Sequence, residues 1–326
     1  MTPTACQGKQ AGDVIELYVQ SLAYGGEGVA RKGGLVYFVE NALPGETVEA
    51  RVRAVSSRYV RAQTVRILKP SPDRAEPFCR HFGVCGGCVF QHMSYESQLR
   101  AKQKMLEDSL RHLGGLKGIV VEPTVPSPKP QNYRNHITFL RDETRRDIRF
   151  GFVAKDNRTL LEVDACPIAD TRINMHLPEL RERIGKVPPN RKSRIEKIIV
   201  RAGTEGKARE GWLEKGTRGV VPERELIAWI EGLPFHFSMD AFFQTNYFIL
   251  PRLVRLMKEI LHPVGREMLL DLYAGVGFFS ILLAKSYRQV IGVEEGRNAV
   301  RDARANFERN KINNAGILGG KEEASL

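Results

Sequence analysis

Residues 271–280 read DLYAGVGFFS and join a short apolar strand to an apolar helix through a glycine turn. Gly275 and Gly277 lie where the strand gives way to the helix, so the backbone can approach a ligand closely and the helix N-terminus can face it. The neighbouring segments continue the alternation, with a strand at EMLLDLY, a helix at GFFSILLAKS, a strand at RQVIGVEE and a helix at RNAVRDARANFERNK. This order predicts the start of a doubly wound, Rossmann-like parallel sheet.

Acidic residues near this turn help to decide which nucleoside cofactor it would hold. Glu294 ends the second strand, where a carboxylate can accept hydrogen bonds from a ribose diol. Asp271, four residues before Gly275, would repel a pyrophosphate but suits a cationic ligand without phosphate. A dinucleotide fingerprint wants a third small residue three places after Gly277, and Ser280 meets that only loosely. The pattern favours S-adenosylmethionine over NAD, and a purely structural glycine turn is the remaining alternative.

Three cysteines fall within ten positions in the stretch FCRHFGVCGGCVFQH, residues 78–92. They are Cys79, Cys85 and Cys88, and Cys166 is a distant fourth. Five cysteines in a chain of 326 residues argue against a disulfide scaffold. Four thiolates suit a tetrahedral zinc or an iron–sulfur cluster, and the cluster is favoured because only one pair is tightly spaced. Buried cysteines without a metal are the alternative.

Residues 13–68 alternate apolar and polar side chains at period two, with glycine and proline turns between the runs. This pattern predicts a small antiparallel, OB-like barrel. Its late strands interleave cations with an aromatic, which suits attraction to a nucleic-acid backbone together with base stacking. A solvated strand face is the alternative. The predicted RNA-binding residues are Arg51, Arg53, Arg58, Tyr59 and Arg61.

The whole chain carries a net charge of +12, which attracts polyphosphate. No apolar run approaches the roughly 18 to 20 residues that span a bilayer, and the N-terminus lacks a secretory pattern. We therefore predict a cytoplasmic monomer without membrane association. Residues 132–170 return to strands and predict a central β-rich α+β domain, in which Tyr133 and Arg134 of YRNHITF are further candidates for contact with RNA.

Several motifs together resemble a known family. The stretches CRHFGVCGGCVFQHMSYESQLRAKQ, DACPI, FFQTNYF, DLYAGVGFFS and IGVEE are similar to those of the bacterial uracil-C5 RNA methyltransferases. The barrel, with GGEGVAR and LPGETVEARV, resembles the TRAM domain that many members carry. The resemblance covers nearly the whole chain from about residue 13. It implies methyl transfer from S-adenosylmethionine to C5 of a uridine, in 23S ribosomal RNA or alternatively in transfer RNA.

The resemblance also implies roles for individual residues. Gln244, Tyr273 and Glu294 match the family's contacts to S-adenosylmethionine, beside Asp271, Gly275 and Gly277 of the glycine turn. The [4Fe-4S] cluster would be bound by Cys79, Cys85, Cys88 and Cys166.

Attack on C5 of uracil needs a cysteine thiolate that adds to C6 and a base that removes the C5 proton. The family places both after the third strand, which predicts that they lie beyond Leu326 and that the methyltransferase domain is incomplete. A non-catalytic, RNA-binding relative is the alternative that this absence favours. A radical S-adenosylmethionine enzyme fits less well, because its loop reads Cys-x3-Cys-x2-Cys and its barrel usually comes last.

The sequence thus predicts a multidomain chain. Its expected parts are a TRAM-like barrel at 8–70, a central cluster domain at 71–92 and 118–235, and a Rossmann-like domain at 93–117 and 236–326.

Overall fold

The computed structural model describes residues 10–142, 149–217, 219–222 and 225–320. The chain divides into two compact units, the first Met1–Pro126 with Lys155–Asn157 and the second Ser127–Ala154 with Arg158–Leu326. Within the described ranges, no helix is both long and apolar enough to cross a membrane.

The first unit begins with a closed five-stranded barrel in the order β1-β2-β3-β5-β4. Its strands are β1 (Val14–Leu22), β2 (Gly28–Lys32), β3 (Leu35–Glu40), β4 (Thr47–Val55) and β5 (Tyr59–Lys69). Alternate residues point inward, so that Leu17, Tyr37 and Val60 are almost completely buried. The period-two prediction of a small barrel is therefore confirmed, except that β3 and β5 pair in parallel and the barrel is not wholly antiparallel.

A buried carboxylate fixes the chain as it leaves the barrel. Glu46 is fully buried and accepts hydrogen bonds from the Leu43 and Ser71 backbone amides at 2.8 and 3.3 Å. The Arg74 guanidinium donates to both of its oxygens at 2.5 and 2.8 Å. The linker after β5 is thereby attached to the β3–β4 turn.

Helix α1 (Tyr95–His112) completes the first unit. The Ser94 hydroxyl accepts from the Ser97 amide at 3.3 Å and so caps the helix N-terminus. Gly115 has a φ of +65° just after the helix end, which agrees with the glycine stop in the sequence. Arg100 forms an ion pair with Asp73 at 2.7 Å, within the same unit.

The second unit contains a six-stranded central sheet in the order β11-β10-β9-β6-β7-β8. Its elements are β6 (His136–Arg141), β7 (Phe150–Val153), β8 (Leu160–Leu161), α2 (Thr171–Lys186), α3 (Pro189–Lys192), β9 (Ile195–Arg201), β10 (Arg209–Glu214) and β11 (Val220–Val221). Helix α2 buries Ile173, Leu177 and Leu180 in the same core as β6 and β9.

The rest of the second unit is a hairpin followed by three parallel strands in the order β14-β15-β16. The elements are β12 (Glu225–Ile230), β13 (Leu233–Ser238), α4 (Leu250–Leu261), β14 (Met268–Leu272), α5 (Phe278–Leu283), β15 (Gln289–Glu294), α6 (Arg297–Arg309) and β16 (Ala315–Gly319). One core joins Phe235 of the hairpin, Phe278 of α5 and Phe307 of α6. The predicted alternation of strand and helix is present, including the third strand.

The two compact units divide the chain more coarsely than the three predicted domains. Residues 71–92 and 93–117 both group with the barrel: Arg74 of the linker bonds Glu46 at the barrel, and Arg100 of α1 bonds Asp73 of the linker. Central sheet and parallel sheet group together in the second unit. The three-domain division with the limits given above stays a prediction.

Candidate functional site

The turns that follow the three parallel strands meet at one edge of the sheet, because the carboxyl ends of parallel strands point the same way. Glu294 at the end of β15 lies opposite Gly319 of β16, and the Gly320 amide donates to the Glu294 carbonyl at 3.0 Å. The turn 273–277 follows β14 at this edge. A surface cavity partly lined by Glu295, Val300 and Gly320 adjoins it.

Glu294 joins two glycine loops at this edge. Its Oε2 accepts from the Gly275 amide at 2.9 Å, and its Oε1 accepts from the Gly296 amide at 2.7 Å. Each carboxylate oxygen has two lone pairs, so both can accept a further bond from a ligand hydroxyl. The carboxylate is therefore held in one orientation before any ligand arrives.

The glycine turn has the conformation that its sequence predicts. Gly275 and Gly277 have φ values of +56° and +80°, and Tyr273 has a φ of +58° although it has a side chain. Such values in a non-glycine residue store strain and concentrate at functional sites. The Tyr273 side chain is 70% exposed at this edge, where its ring is available to a ligand.

Asp271 lies below the turn and faces helix α5. Its Oδ2 accepts from both the Ser280 amide and the Ser280 hydroxyl, at 2.9 and 2.6 Å. Burial raises the pKa of Asp271, and the two bonds from Ser280 lower it only partly. The Asp271 carboxylate therefore bonds the first turn of α5. A contact between Asp271 and a cofactor stays a prediction.

The segment FFQTN, 242–246, reaches the same edge from a distant part of the sequence. A Cβ at Gly275 would lie 4.0 Å from the Phe242 carbonyl oxygen. The Gln244 carbonyl accepts from Asn135 Nδ2 at 2.8 Å, which attaches this segment to the central sheet. The FFQTN segment therefore lies next to the glycine turn, although the two are about 30 residues apart in the sequence.

Helix α6 and its C-cap residue hold the hairpin against the parallel sheet through three buried or half-buried polar residues four positions apart, called the α6 ladder here. They bond alternate residues of β13 at 2.7 to 2.8 Å. The pairs are Asp302 with Ser238, Asn306 with His236, and Asn310 with Pro234. Four helical residues advance about 6 Å and two strand residues about 6.7 Å, so the two spacings match. Asn306 also donates to the Val276 carbonyl at 3.1 Å and so reaches the glycine turn.

Comparison with known proteins identifies the family of this chain. Residues 225–323 match the family model described as tRNA (Uracil-5-)-methyltransferase, and residues 8–65 match the TRAM domain. A protein described as an uncharacterized RNA methyltransferase of Thermosynechococcus vestitus is 31% identical over 97% of this chain and 80% of its own length. The 23S rRNA (uracil(1939)-C(5))-methyltransferase RlmD of Vibrio campbellii is 30% identical over 91% of this chain and 73% of its own.

The chain belongs to the S-adenosylmethionine-dependent uracil-C5 RNA methyltransferase family.

The fold of this methyltransferase also matches a solved structure. The tRNA (uracil-54, C5)-methyltransferase of Pyrococcus abyssi, solved with S-adenosyl-L-homocysteine, superposes with a TM-score of 0.69 at 23% identity. The match covers 94% of this chain and 79% of that one. At this identity the likeness concerns the fold.

The cysteine loop of the methyltransferase lies in the first unit, whereas Cys166 belongs to the second. None of these four cysteines forms a disulfide, and all four are partly exposed. Among the described residues, no three His, Cys, Asp or Glu side chains converge as a metal site requires. The cluster prediction is therefore not confirmed.

The TRAM barrel carries the predicted RNA-binding residues on its outer face. The Tyr59 ring contacts the Phe38 ring edge-on with centroids 5.5 Å apart, and the Arg61 guanidinium lies 6.0 Å from the Tyr59 centroid. Arg61 also pairs with Glu27 at 2.9 Å. Arg51, Arg53 and Arg58 are exposed. Phe38 and Tyr59 meet because β3 pairs with β5, with Val36 opposite Tyr59, and the sequence prediction had not included this pairing.

Tyr133 and Arg134 of the methyltransferase lie just before β6 in the second unit. The Arg134 backbone bridges Ala169 on one side and Asn246 on the other. Its Nε is buried and finds no hydrogen-bond partner among the described residues. Arg134 thus lies next to the FFQTN segment, and contact of Tyr133 and Arg134 with RNA stays a prediction.

Proposed function

We propose that this chain binds S-adenosylmethionine at the carboxyl edge of the β14-β15-β16 sheet, as part of a methyltransferase acting on C5 of a uridine in 23S ribosomal RNA. The observation that carries the proposal is the Glu294 carboxylate, fixed by two glycine amides beside the positive-φ turn. In this position it suits a ribose diol, which donates two hydrogen bonds from adjacent hydroxyls. Ribosomal RNA is favoured over transfer RNA because RlmD is among the relatives at 30% identity.

Other residues at this edge of the sheet have separate proposed roles in cofactor binding. Gly275 leaves its turn open to close approach by a ligand, since little surrounds the place of its missing Cβ. We propose that the exposed Tyr273 ring of the turn and the Gln244 side chain of the neighbouring FFQTN segment contact the cofactor. Asp271 orients the turn from below through Ser280 and adds negative charge near a cationic ligand.

S-adenosylmethionine supplies a methyl group on a cationic sulfur. C5 of uracil is a weak nucleophile, and addition of a thiolate to C6 makes C5 electron-rich before it takes the methyl group; a base then removes the C5 proton and the thiolate leaves. No cysteine follows Cys166 in this chain. We therefore propose that residues 167–326 supply cofactor binding and not the nucleophile.

Binding of S-adenosylhomocysteine measured by isothermal titration calorimetry tests the cofactor site. Glu294→Gln keeps the shape but removes the charge and one acceptor oxygen, so we expect affinity to fall at least about tenfold. Glu259→Gln, on the exposed face of α4, is the matched control and should leave affinity unchanged. Equal affinities in the parent and Glu294→Gln would overturn the assignment.

Transfer of radioactive methyl groups to unmodified transcripts tests the reaction. We expect no transfer by these 326 residues to a 23S rRNA or a tRNA transcript, although RNA is bound, because the thiolate is missing from the cofactor unit. A non-catalytic RNA-binding role is the second candidate function, and the match of residues 8–65 to the TRAM domain favours it. Transfer by this chain would contradict our account of the nucleophile.

We also propose, on the sequence spacing, that Cys79, Cys85, Cys88 and Cys166 bind a [4Fe-4S] cluster. Support comes from the Gly87 amide, which donates to the Cys85 sulfur at 3.4 Å and would stabilise a thiolate. Iron content and visible absorption of anaerobically purified protein test this. About four irons per chain, lost in Cys85→Ser, are expected; one zinc, or no metal, would refute the cluster. We also propose that the protein is a cytoplasmic monomer.

A further inference from the structure

Arg201, at the end of β9, is a buried cation that reaches the loop before the FFQTN segment. Arg201 is only 2% exposed. Nη1 donates to the carbonyls of Ser238, Met239 and Ala241 at 3.3, 3.1 and 2.6 Å. The guanidinium carbon lies 4.7 Å from the centroid of the Phe237 ring. The loop 238–241 therefore turns around this one side chain.

The charge of Arg201 persists in this setting. Burial lowers the pKa of Arg201 to about 10, which still leaves the guanidinium protonated at neutral pH. An apolar side chain could fill the space without desolvating a charge. Only a cationic group, a guanidinium or an ammonium, can donate charge-assisted hydrogen bonds that hold several carbonyls at once.

A second anchor holds the other end of the segment. Asn135 is fully buried, donates through Nδ2 to the Gln244 carbonyl at 2.8 Å, and donates through its amide to the Thr245 carbonyl at 2.9 Å. Arg201 lies opposite His136, the residue after Asn135, in the β6–β9 pair, so the two anchors lie at the same end of two adjacent strands of the central sheet. Residues 238–245 are thus held at both ends by one rigid sheet.

We propose that Arg201 is a positioning residue, which holds the loop 238–241 so that the Gln244 side chain is presented to the cofactor beside the glycine turn. The inference rests on the proposed contact between Gln244 and the cofactor. Arg201 itself touches carbonyls of the loop and acts only through them. The central sheet then has a role in cofactor binding that its own sequence does not suggest.

Two variants of Arg201 test this together with direct measurements of loop order. Arg201→Lys keeps the charge but loses the width of the guanidinium; we expect a melting temperature within a few degrees of the parent, about tenfold weaker S-adenosylhomocysteine binding, and faster amide hydrogen exchange in 239–245. Arg201→Met should show larger changes in both. If Arg201→Met fails to fold, Arg201→Lys alone decides the inference.

The matched control is Arg191→Lys, because the Arg191 guanidinium also donates hydrogen bonds, two of them to Glu214 at 3.1 and 3.0 Å, and has none to the loop. It should leave affinity and exchange of 239–245 unchanged. Unaltered exchange in 239–245 with affinity within twofold of the parent in Arg201→Lys would overturn the inference. Gln244→Ala separates the two proposals: if it leaves affinity unchanged, the assigned cofactor contact fails, whereas exchange still decides whether Arg201 orders the loop.

Discussion

Gly275 and Gly277 have the same backbone requirement in different surroundings. A Cβ at Gly277 would lie 3.0 Å from the Phe307 ring, whereas one at Gly275 would meet only the Phe242 carbonyl oxygen at 4.0 Å. Gly277→Ala should therefore lower the free energy of unfolding by about 2 to 3 kcal/mol, and Gly275→Ala by about 1 to 2 kcal/mol from its positive φ alone.

In ligand binding the order should be reversed, with Gly275→Ala losing more affinity than Gly277→Ala. We expect Gly275→Ala to weaken binding of S-adenosylhomocysteine more than its small loss of stability explains, since the added methyl group occupies the open side of the turn. Urea denaturation and calorimetric titration of both variants check this. A larger loss of stability in Gly275→Ala than in Gly277→Ala would contradict the geometry.

Glu46 gives the barrel a dependence on acid. Burial alone would raise its pKa, but bonds from Arg74 and from the Leu43 and Ser71 amides outweigh burial and leave the pKa below its ordinary value of about 4.5. A folded-state pKa that is lowered means that the stabilisation is complete above about 4.5 and is lost as pH falls toward the folded-state value.

Glu46→Gln should therefore flatten the acid branch of the stability curve and cost about 2 kcal/mol at pH 7, where a buried ion pair is broken. Urea midpoints between pH 3 and 7 measure both effects. Glu49→Gln is the control, because its ion pair with Arg66 is exposed and should contribute little. Parallel pH curves for the parent and Glu46→Gln would rule out this role.

At the scale of elements, the α6 ladder bonds the backbone groups of β13 that a neighbouring strand would otherwise pair. Asn306 is fully buried and makes bonds to His236 on both its amide and carbonyl and a further bond to the Val276 carbonyl. Asn306→Leu keeps the volume but leaves those groups unsatisfied, so we expect a loss of about 3 kcal/mol or more in the free energy of unfolding.

Asn298→Ala is a control on the same helix, because the Asn298 side chain bonds the exposed Asp240 and lies outside the ladder. It should change stability by less than about 0.5 kcal/mol. Urea denaturation measures both variants. Similar small effects of the two substitutions would mean that the ladder contributes nothing to docking of the hairpin.

For the whole molecule, the net charge of +12 predicts salt-dependent binding of RNA, and the barrel face is its proposed location. Replacing Arg53 and Arg58 together by Ala should reduce the slope of log affinity against log salt by about 0.7 for each phosphate of single-stranded RNA that the variant no longer neutralises. Filter binding or fluorescence anisotropy from about 50 to 300 mM salt measures this slope.

Arg66→Ala is the control on the same barrel, because Arg66 forms a forked pair with Glu49 at 2.9 and 3.0 Å. We expect its slope to equal that of the parent. Equal slopes in the Arg53 and Arg58 double variant would remove this face from the RNA site.

The sequence by itself determined the order and type of most elements, because local periodicity and turn residues decide them. Alternation predicted the barrel, and Gly275, Gly277 and Glu294 predicted a nucleoside site at a strand end. Tertiary structure decided which distant residues complete that site. Arg201 and Asn306 lie about 40 and 70 residues from the segments they hold, and no local pattern encodes such contacts, since they depend on how sheets and helices pack.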